Sequence, residues 1–142
     1  RYINIARTSS SGLEAEVDAK LSDSLRLKLG YAWLDAIDRS TNRSLLRVPD
    51  HSASVALFWT QGPWSGAATV RGETSQSDTA RDGFSRAVRK GFVTADLSAG
   101  YDVNAHVTLT ARIENLGDRR FEEVLGYNEP GRAVYLGVKF RP

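Results

Sequence analysis

Apolar and polar residues alternate one for one along much of this chain. In "SLRLKLGYAWLD", Leu25, Leu27, Leu29, Tyr31 and Trp33 fall on one side of an extended backbone, and Arg26, Lys28, Gly30 and Ala32 on the other. A period of two predicts a strand, because successive side chains of an extended chain point to opposite faces. "GLEAEVDAK" repeats the pattern, setting Leu13, Ala15, Val17 and Ala19 against Glu14, Glu16, Asp18 and Lys20. "VTLTARIE" sets Val107, Leu109, Ala111 and Ile113 against Thr108, Thr110, Arg112 and Glu114. "HSASVALFWT" and "FVTADLSAGY" add faces of Ala53, Val55, Leu57 and Trp59, and of Val93, Ala95, Leu97, Ala99 and Tyr101. "WSGAATVRGE" offers the small-residue face Trp64, Gly66, Ala68, Val70 and Gly72, and "AVYLGVKF" ends the series with Val134, Leu136, Val138 and Phe140. Seven strands are predicted, with every internal charge, from Glu14 and Arg26 through Arg71, Asp96, Arg112 and Lys139, opposite the apolar face. No helix-period segment, domain linker or low-complexity tract interrupts them.

The connections alternate as strictly as the strands. "LSDS" around Asp23, "QGP" at Gln61 to Pro63 and "DVNA" at Asp102 to Ala105 are tight turns. Between them lie long polar segments at about 36–49, 75–90 and 117–131. In an antiparallel sheet this puts every tight turn at one end and every long loop at the other, the layout of an outer-membrane barrel. Trp59, Trp64, Tyr101 and Phe140 gather at the tight-turn end and Tyr31 and Trp33 toward the long-loop end, as two interfacial girdles would. A strand of about ten residues rises roughly 33 Å, and tilted by about 45° it covers roughly 24 Å, the height of the apolar band of such barrels. Leu27, Leu57, Leu97, Leu109 and Leu136 are then expected to face lipid.

Composition agrees without deciding. Mean hydropathy of -0.36 would suit a soluble protein, but a barrel that interleaves lipid-facing and lumen-facing residues averages to the same value. Nineteen basic residues against 17 acidic ones leave a net charge of +2, too little excess to mark a nucleic-acid binder. With no cysteine, neither a disulfide framework nor a thiolate zinc site is available. "RYINIARTSSSG" at the start carries no apolar core of a signal peptide, which reads as a mature, truncated or excised chain.

"ARIENLGDRRFEEVLGYNEPGR", together with the strand "AVYLGVKF" that follows it, resembles the C-terminal end of TonB-dependent outer-membrane receptors, and "ARTSSSGLEAEV" resembles a strand several hairpins earlier in them. The residues that carry the likeness are Asn115 and Leu116 with Asp118 and Phe121, then Gly126 and Tyr127, then Pro130, Gly131 and Arg132, and the terminal strand to Phe140. Among these receptors the "GY…GR" spacing and "LLR" before His51 look most like the vitamin B12 (cobalamin) receptors. The resemblance implies an all-β, antiparallel up-and-down transmembrane barrel of about 22 strands, with this chain, residues 1–142, as its C-terminal third and the N-terminal plug and earlier strands absent. It implies uptake of cobalamin or a ferric siderophore, coupling to the TonB complex through the plug, and contact with outer-membrane lipid and lipopolysaccharide. It also implies that Val134, Leu136, Val138 and Phe140 are read by the barrel-assembly machinery, and that the strand then closes against the first. In the family a terminal Phe is usual, whereas here Arg141 and Pro142 follow Phe140. A complete barrel of about eight strands with a structural or adhesive role, or a soluble lipocalin-like barrel, are the readings from other classes.

Catalytic chemistry is not indicated. His51 and His106 lack a metal-ligand neighbourhood and read as polar strand residues, His106 beside Thr108. Glu14, Glu16 and Asp18 read as a hydrated face paired with Lys20, Arg26 and Lys28. No phosphate loop, nucleophile elbow or dinucleotide-binding glycine pattern occurs, and no cofactor is expected. The loop cations, including Arg47, Arg81, Arg86, Arg89, Lys90, Arg119 and Arg120, are nearly balanced by acids such as Asp78, Asp82, Glu122 and Glu123, and read as solvated loops open to lipopolysaccharide phosphates or an anionic ligand.

Overall fold

The computed structural model describes residues 7–142; the start of the "ARTSSSGLEAEV" stretch at Ala6 lies outside them. Among the described residues twelve strands form: β1 (Thr8–Lys20), β2 (Leu25–Asp38), β3 (Arg43–Ser44), β4 (His51–Gln61), β5 (Trp64–Glu73), β6 (Gln76–Thr79), β7 (Arg86–Arg89), β8 (Phe92–Asp102), β9 (Val107–Glu114), β10 (Glu122–Val124), β11 (Tyr127–Asn128) and β12 (Ala133–Phe140). The seven predicted strands are β1, β2, β4, β5, β8, β9 and β12, and they pair in that order as one antiparallel meander, with β3 added beside β2. β1 starts earlier than its apolar alternation does, because Ser9, Ser10 and Ser11 continue the ladder opposite Ile37, Ala36 and Asp35. The sheet does not close on itself, since β1 and β12 each have one neighbour among the described residues.

Register is what makes the two faces continuous. Leu27 lies opposite Leu57, Leu57 opposite Ala68, Ala68 opposite Leu97 and Leu97 opposite Ile113, so one apolar row crosses five strands. Leu136 meets Ala111 and Val138 meets Leu109 on the same face, extending it to β12. A slip of one residue at any ladder would turn that strand inside out. The five leucines expected to share a face do so. This apolar face is uncovered: Leu136 is 83% exposed, Leu13 60% and Val93 62%.

Aromatic residues bracket that face. Trp64 lies opposite Tyr101 with ring centroids 4.5 Å apart at the tight-turn end, while Tyr31 and Trp33 stand at the other end. The tight turns have local causes. Gly62 adopts a φ of 56° between β4 and β5, where a side chain would be strained, and the Asn104 carboxamide oxygen accepts the backbone N–H groups of His106 and Val107 at 2.9 and 3.0 Å. His106 belongs to that turn, one residue before β9, with its ring centroid 6.4 Å from that of Phe140 and its Nδ1 3.0 Å from the Arg141 carbonyl oxygen. His51 is the strand residue expected, the first of β4, where it lies opposite Trp33 and its Nδ1 meets the Tyr31 hydroxyl at 2.8 Å.

The long connections depart most from expectation. Two of them fold into hairpins, β6–β7 and β10–β11, and the first carries β3. Every buried side chain among the described residues lies at this end of the molecule, and most are polar: Ala36, Gln76, Asp78, Arg89, Phe92, Thr94 and Asn115.

Candidate functional site

The candidate site is the loop end of the polar face, where the third connection folds back over the sheet. Arg71 and Glu73 on β5 share that face with Phe92 and Thr94 on β8, because Glu73 pairs with Phe92 and Arg71 with Thr94. Phe121, just before β10, stacks on Phe92 with centroids 4.3 Å apart. The Arg71 guanidinium lies 5.3 Å from the Phe92 ring and 5.9 Å from that of Phe121, and donates to the Glu123 carboxylate at 2.7 Å. Two aromatic rings, an arginine and a carboxylate thus hold the β10–β11 hairpin against the sheet.

A second group ties the three connections together. Asp78 on β6 is fully buried, and its carboxylate accepts from Arg47 Nε at 2.9 Å, from the Thr79 N–H at 2.7 Å and from the Leu125 N–H at 2.8 Å. Arg47 belongs to the first long connection and Leu125 to the third, so one carboxylate bridges all three. Burial pushes the Asp78 carboxyl up, but the Leu125 N–H, the Arg47 guanidinium and the Thr79 N–H together hold it below the ordinary carboxylate value. Arg89 on β7 is equally buried; it donates to Glu73 at 2.8 Å and to the carbonyl oxygens of Thr74 and Lys90, with Phe92 beneath it. The solvated-loop reading therefore fails for Asp78 and Arg89, because the hairpins bury them against one another.

The motif residues cluster beside this layer. Asn115 has a φ of 49° and is buried. Its Nδ2 donates to the carbonyl oxygens of Arg119 and Pro130, and its Oδ1 accepts the Arg119 N–H. The N–H of Asn115 reaches Asp96, and that of Leu116 reaches the Ala95 carbonyl oxygen. Asp118 accepts the Arg132 N–H at 2.9 Å, and a Cβ placed on Gly131 would come within 2.8 Å of that carboxylate oxygen. Asn115, Asp118, Gly131 and Arg132 thus form one brace from the end of β9 to the start of β12, and Phe121 is the stacking residue. On the polar face lower down, Asp18 takes both Arg26 donors at 2.6 Å and lies 3.6 Å from Lys28. Lys20 instead pairs with Asp23, since the register sets Arg26 opposite it, and Glu14 and Glu16 face Ala32 and Gly30, which carry no cation.

Alternation alone misses Asp78, Arg89 and Phe92 as buried residues. A local signal for the first hairpin does exist: Asp82 and Gly83 form a turn signature between β6 and β7. Gly83 takes a φ of 76°, and Asp82 accepts the N–H groups of Phe84 and Ser85.

The sequence model of the family described as TonB dependent receptor-like, beta-barrel, matches residues 1–116. The metal-pseudopaline receptor CntO of Pseudomonas aeruginosa is 31% identical over 125 residues, spanning 80% of this chain and 17% of that receptor. This chain therefore spans about a sixth of the length of the curated relative it matches. Among solved structures, the copper transporter OprC superposes with a TM-score of 0.79 at 25% identity, covering 94% of this chain and 23% of that one. The siderophore receptor PiuA from Acinetobacter baumannii has the same fold, with a TM-score of 0.79 at 21% identity over 94% of this chain and 22% of its own. With its uncovered apolar face, flanking aromatics and tight turns at one end only, the chain belongs to the TonB-dependent receptor β-barrel family of the Gram-negative outer membrane.

Proposed function

We propose that this chain forms the C-terminal, closing part of the barrel of a receptor that imports a metal chelate across the outer membrane, driven by TonB through a plug. The observation that carries the reading is the inward-folded third connection, in which Phe121 and Glu123 reach the polar face at Phe92 and Arg71. A loop held over the polar face at the long-loop end lies where cargo would enter a lumen. The names of the relatives specify a metal-pseudopaline complex, copper and siderophores. They support a chelated metal over cobalamin as the cargo.

In this reading the apolar face meets lipid, and β12 presents Val134, Leu136, Val138 and Phe140 to the barrel-assembly machinery. Its unpaired edge then hydrogen-bonds to the first strand of the barrel, because open backbone groups cannot remain in hydrocarbon. The match of residues 1–116 to the TonB-dependent receptor barrel model favours this reading over the eight-strand and lipocalin-like alternatives. The test is uptake by cells expressing the complete receptor, with and without TonB. Accumulation of a radiolabelled ferric siderophore or zinc chelate only when TonB is present is the expected result. TonB-dependent accumulation of cyanocobalamin instead would move the cargo to cobalamin, and uptake indifferent to TonB would overturn the proposal.

A further inference from the structure

Tight turns fix the pairing of six of the seven strands in the meander. β1 joins β2 through 21–24, β4 joins β5 through 62–63 and β8 joins β9 through 103–106, and hairpins closed so tightly have little freedom of register. β12 is the exception among the described residues. It reaches β9 only through the connection 115–132, and no described strand flanks its other edge. Alternation does not supply what the turn leaves out. A slip of one residue would turn Leu136 to the polar face, but a slip of two keeps apolar residues opposite apolar ones, because Val107, Leu109, Ala111 and Ile113 repeat at the same period as Val134, Leu136, Val138 and Phe140. On the polar side the Arg112 guanidinium lies 4.9 Å from the Tyr135 ring, a weak preference at an exposed site.

The brace stands where this ladder begins. Glu114 pairs with Ala133, and the next residues outward are Asn115 and Arg132. Asn115 is anchored on β8: its N–H donates to the Asp96 carboxylate at 2.8 Å, and the Leu116 N–H donates to the Ala95 carbonyl oxygen at 2.7 Å. From that anchor the Asn115 Nδ2 reaches the Pro130 carbonyl oxygen at 3.1 Å, and the Asp118 carboxylate takes the Arg132 N–H at 2.9 Å. The position of β12 is thus measured from β8, whose own register on β9 a tight turn sets. A slip of two would carry Pro130 and Arg132 about 7 Å along the strand, beyond the hydrogen-bond reach of about 3 Å. Both contacts would break together.

We propose that Asn115 and Asp118 are positioning residues that set the register of β12 on β9, and with it the stagger at which the barrel closes. The proposal rests on the reading of β12 as the closing strand. Its free edge then pairs with the first strand, so a slip against β9 shifts every closing bond, and strand number, tilt and stagger must agree for a barrel to close. The brace is separate from the contacts that hold the far end of the same connection, Leu125 on Asp78 and Glu123 on Arg71.

Disulfide trapping in the complete receptor reads the register directly, and this chain has no cysteine to interfere. Val138→Cys is combined with Leu109→Cys, its partner in the ladder, or with Val107→Cys or Ala111→Cys, the partners after a slip of two. Each pair is oxidised in otherwise wild-type receptor, in N115G/D118G and in D78A. The glycines accept the φ of 49° and 50° at these positions and remove the side-chain bonds. In wild type and D78A the link between positions 109 and 138 should dominate, and in N115G/D118G its ratio to the slipped links should fall about tenfold. Replacing 115–132 by Asn-Gly, a two-residue hairpin turn, should restore the native ratio without the brace. An unchanged ratio in N115G/D118G would overturn this inference and leave the uptake reading standing. An equal shift in D78A, or no recovery with the short turn, would overturn it as well. A wild-type receptor that never becomes heat-modifiable in gels would overturn the closing-strand reading, and this inference with it.

Discussion

The strand wall and the loop layer above it are stabilised in opposite ways. In the wall, side chains on the apolar face are left uncovered, Val134, Val138 and Phe140 among them, and order comes from unbroken ladders of backbone hydrogen bonds. The loop layer has little apolar burial beyond Phe92 and Ala36, and it is held by buried polar groups whose partners come from other loops. On the proposed reading, in which the apolar face meets lipid, the wall tolerates any side chain of the right polarity. The loop layer tolerates few substitutions at Asp78, Arg89 or Asn115, since each leaves buried donors or acceptors unmatched.

The sharpest break in this contrast is a charge placed on one face or the other of a single strand. Val70→Arg puts a guanidinium on the lipid side, whereas Thr69→Arg, one residue away, faces Asp96 across the ladder. The first should lower barrel stability by about 2–4 kcal/mol and the second should cost little, as measured by heat-modifiable gel mobility of the complete receptor in urea. Equal tolerance at both sites would mean that the apolar face does not meet lipid.

Asp78→Ala attacks the loop layer alone. It orphans the Leu125 and Thr79 N–H groups at about 1–3 kcal/mol each. Hydrogen exchange should rise together near 45–49, 76–79 and 122–128, while β4, β5 and β8 stay protected. Protection lost in one loop only would show that Asp78 does not couple them.

The same carboxylate gives a pH signature. Because folding holds Asp78 below the ordinary carboxylate value of about 3.9, the folded loops bind fewer protons than the opened ones in that range. Their stability is therefore fully present above about pH 5 and falls as pH drops through the lowered value. Proteolysis of the loops should begin in acid before the wall unfolds, and Asp78→Asn should remove that dependence.

A smaller effect is expected at the brace. Gly131→Ala brings a Cβ against Asp118 and should loosen its bond to the Arg132 N–H, costing about 1 kcal/mol. The check is faster amide exchange at Arg132 with the β9–β12 ladder unchanged. The least effect belongs to Lys20→Ala, whose partner Asp23 is fully exposed; no shift in melting temperature should be detectable.

The wall is written in local sequence. Period-two alternation in stretches such as "SLRLKLGYAWLD" and "VTLTARIE", the turn residues at Asp23, Gly62 and Asn104, and the aromatics at strand ends all act on their near neighbours. Locally closed hairpins fix register from one strand to the next, so seven strands, their order and their two faces were legible residue by residue. The motif residues Asn115, Asp118, Gly131 and Arg132 were visible as a spacing, but their joint role as a brace was not. That Asp78 and Arg89 are buried while Asp82 and Lys90 are not, and that Phe121 meets Phe92, emerged only from the assembled loops. Alternation records the polarity of the medium on each side of a strand. It carries no record of which distant N–H or guanidinium will reach a given carboxylate, because that depends on three loops of different length arriving at one place.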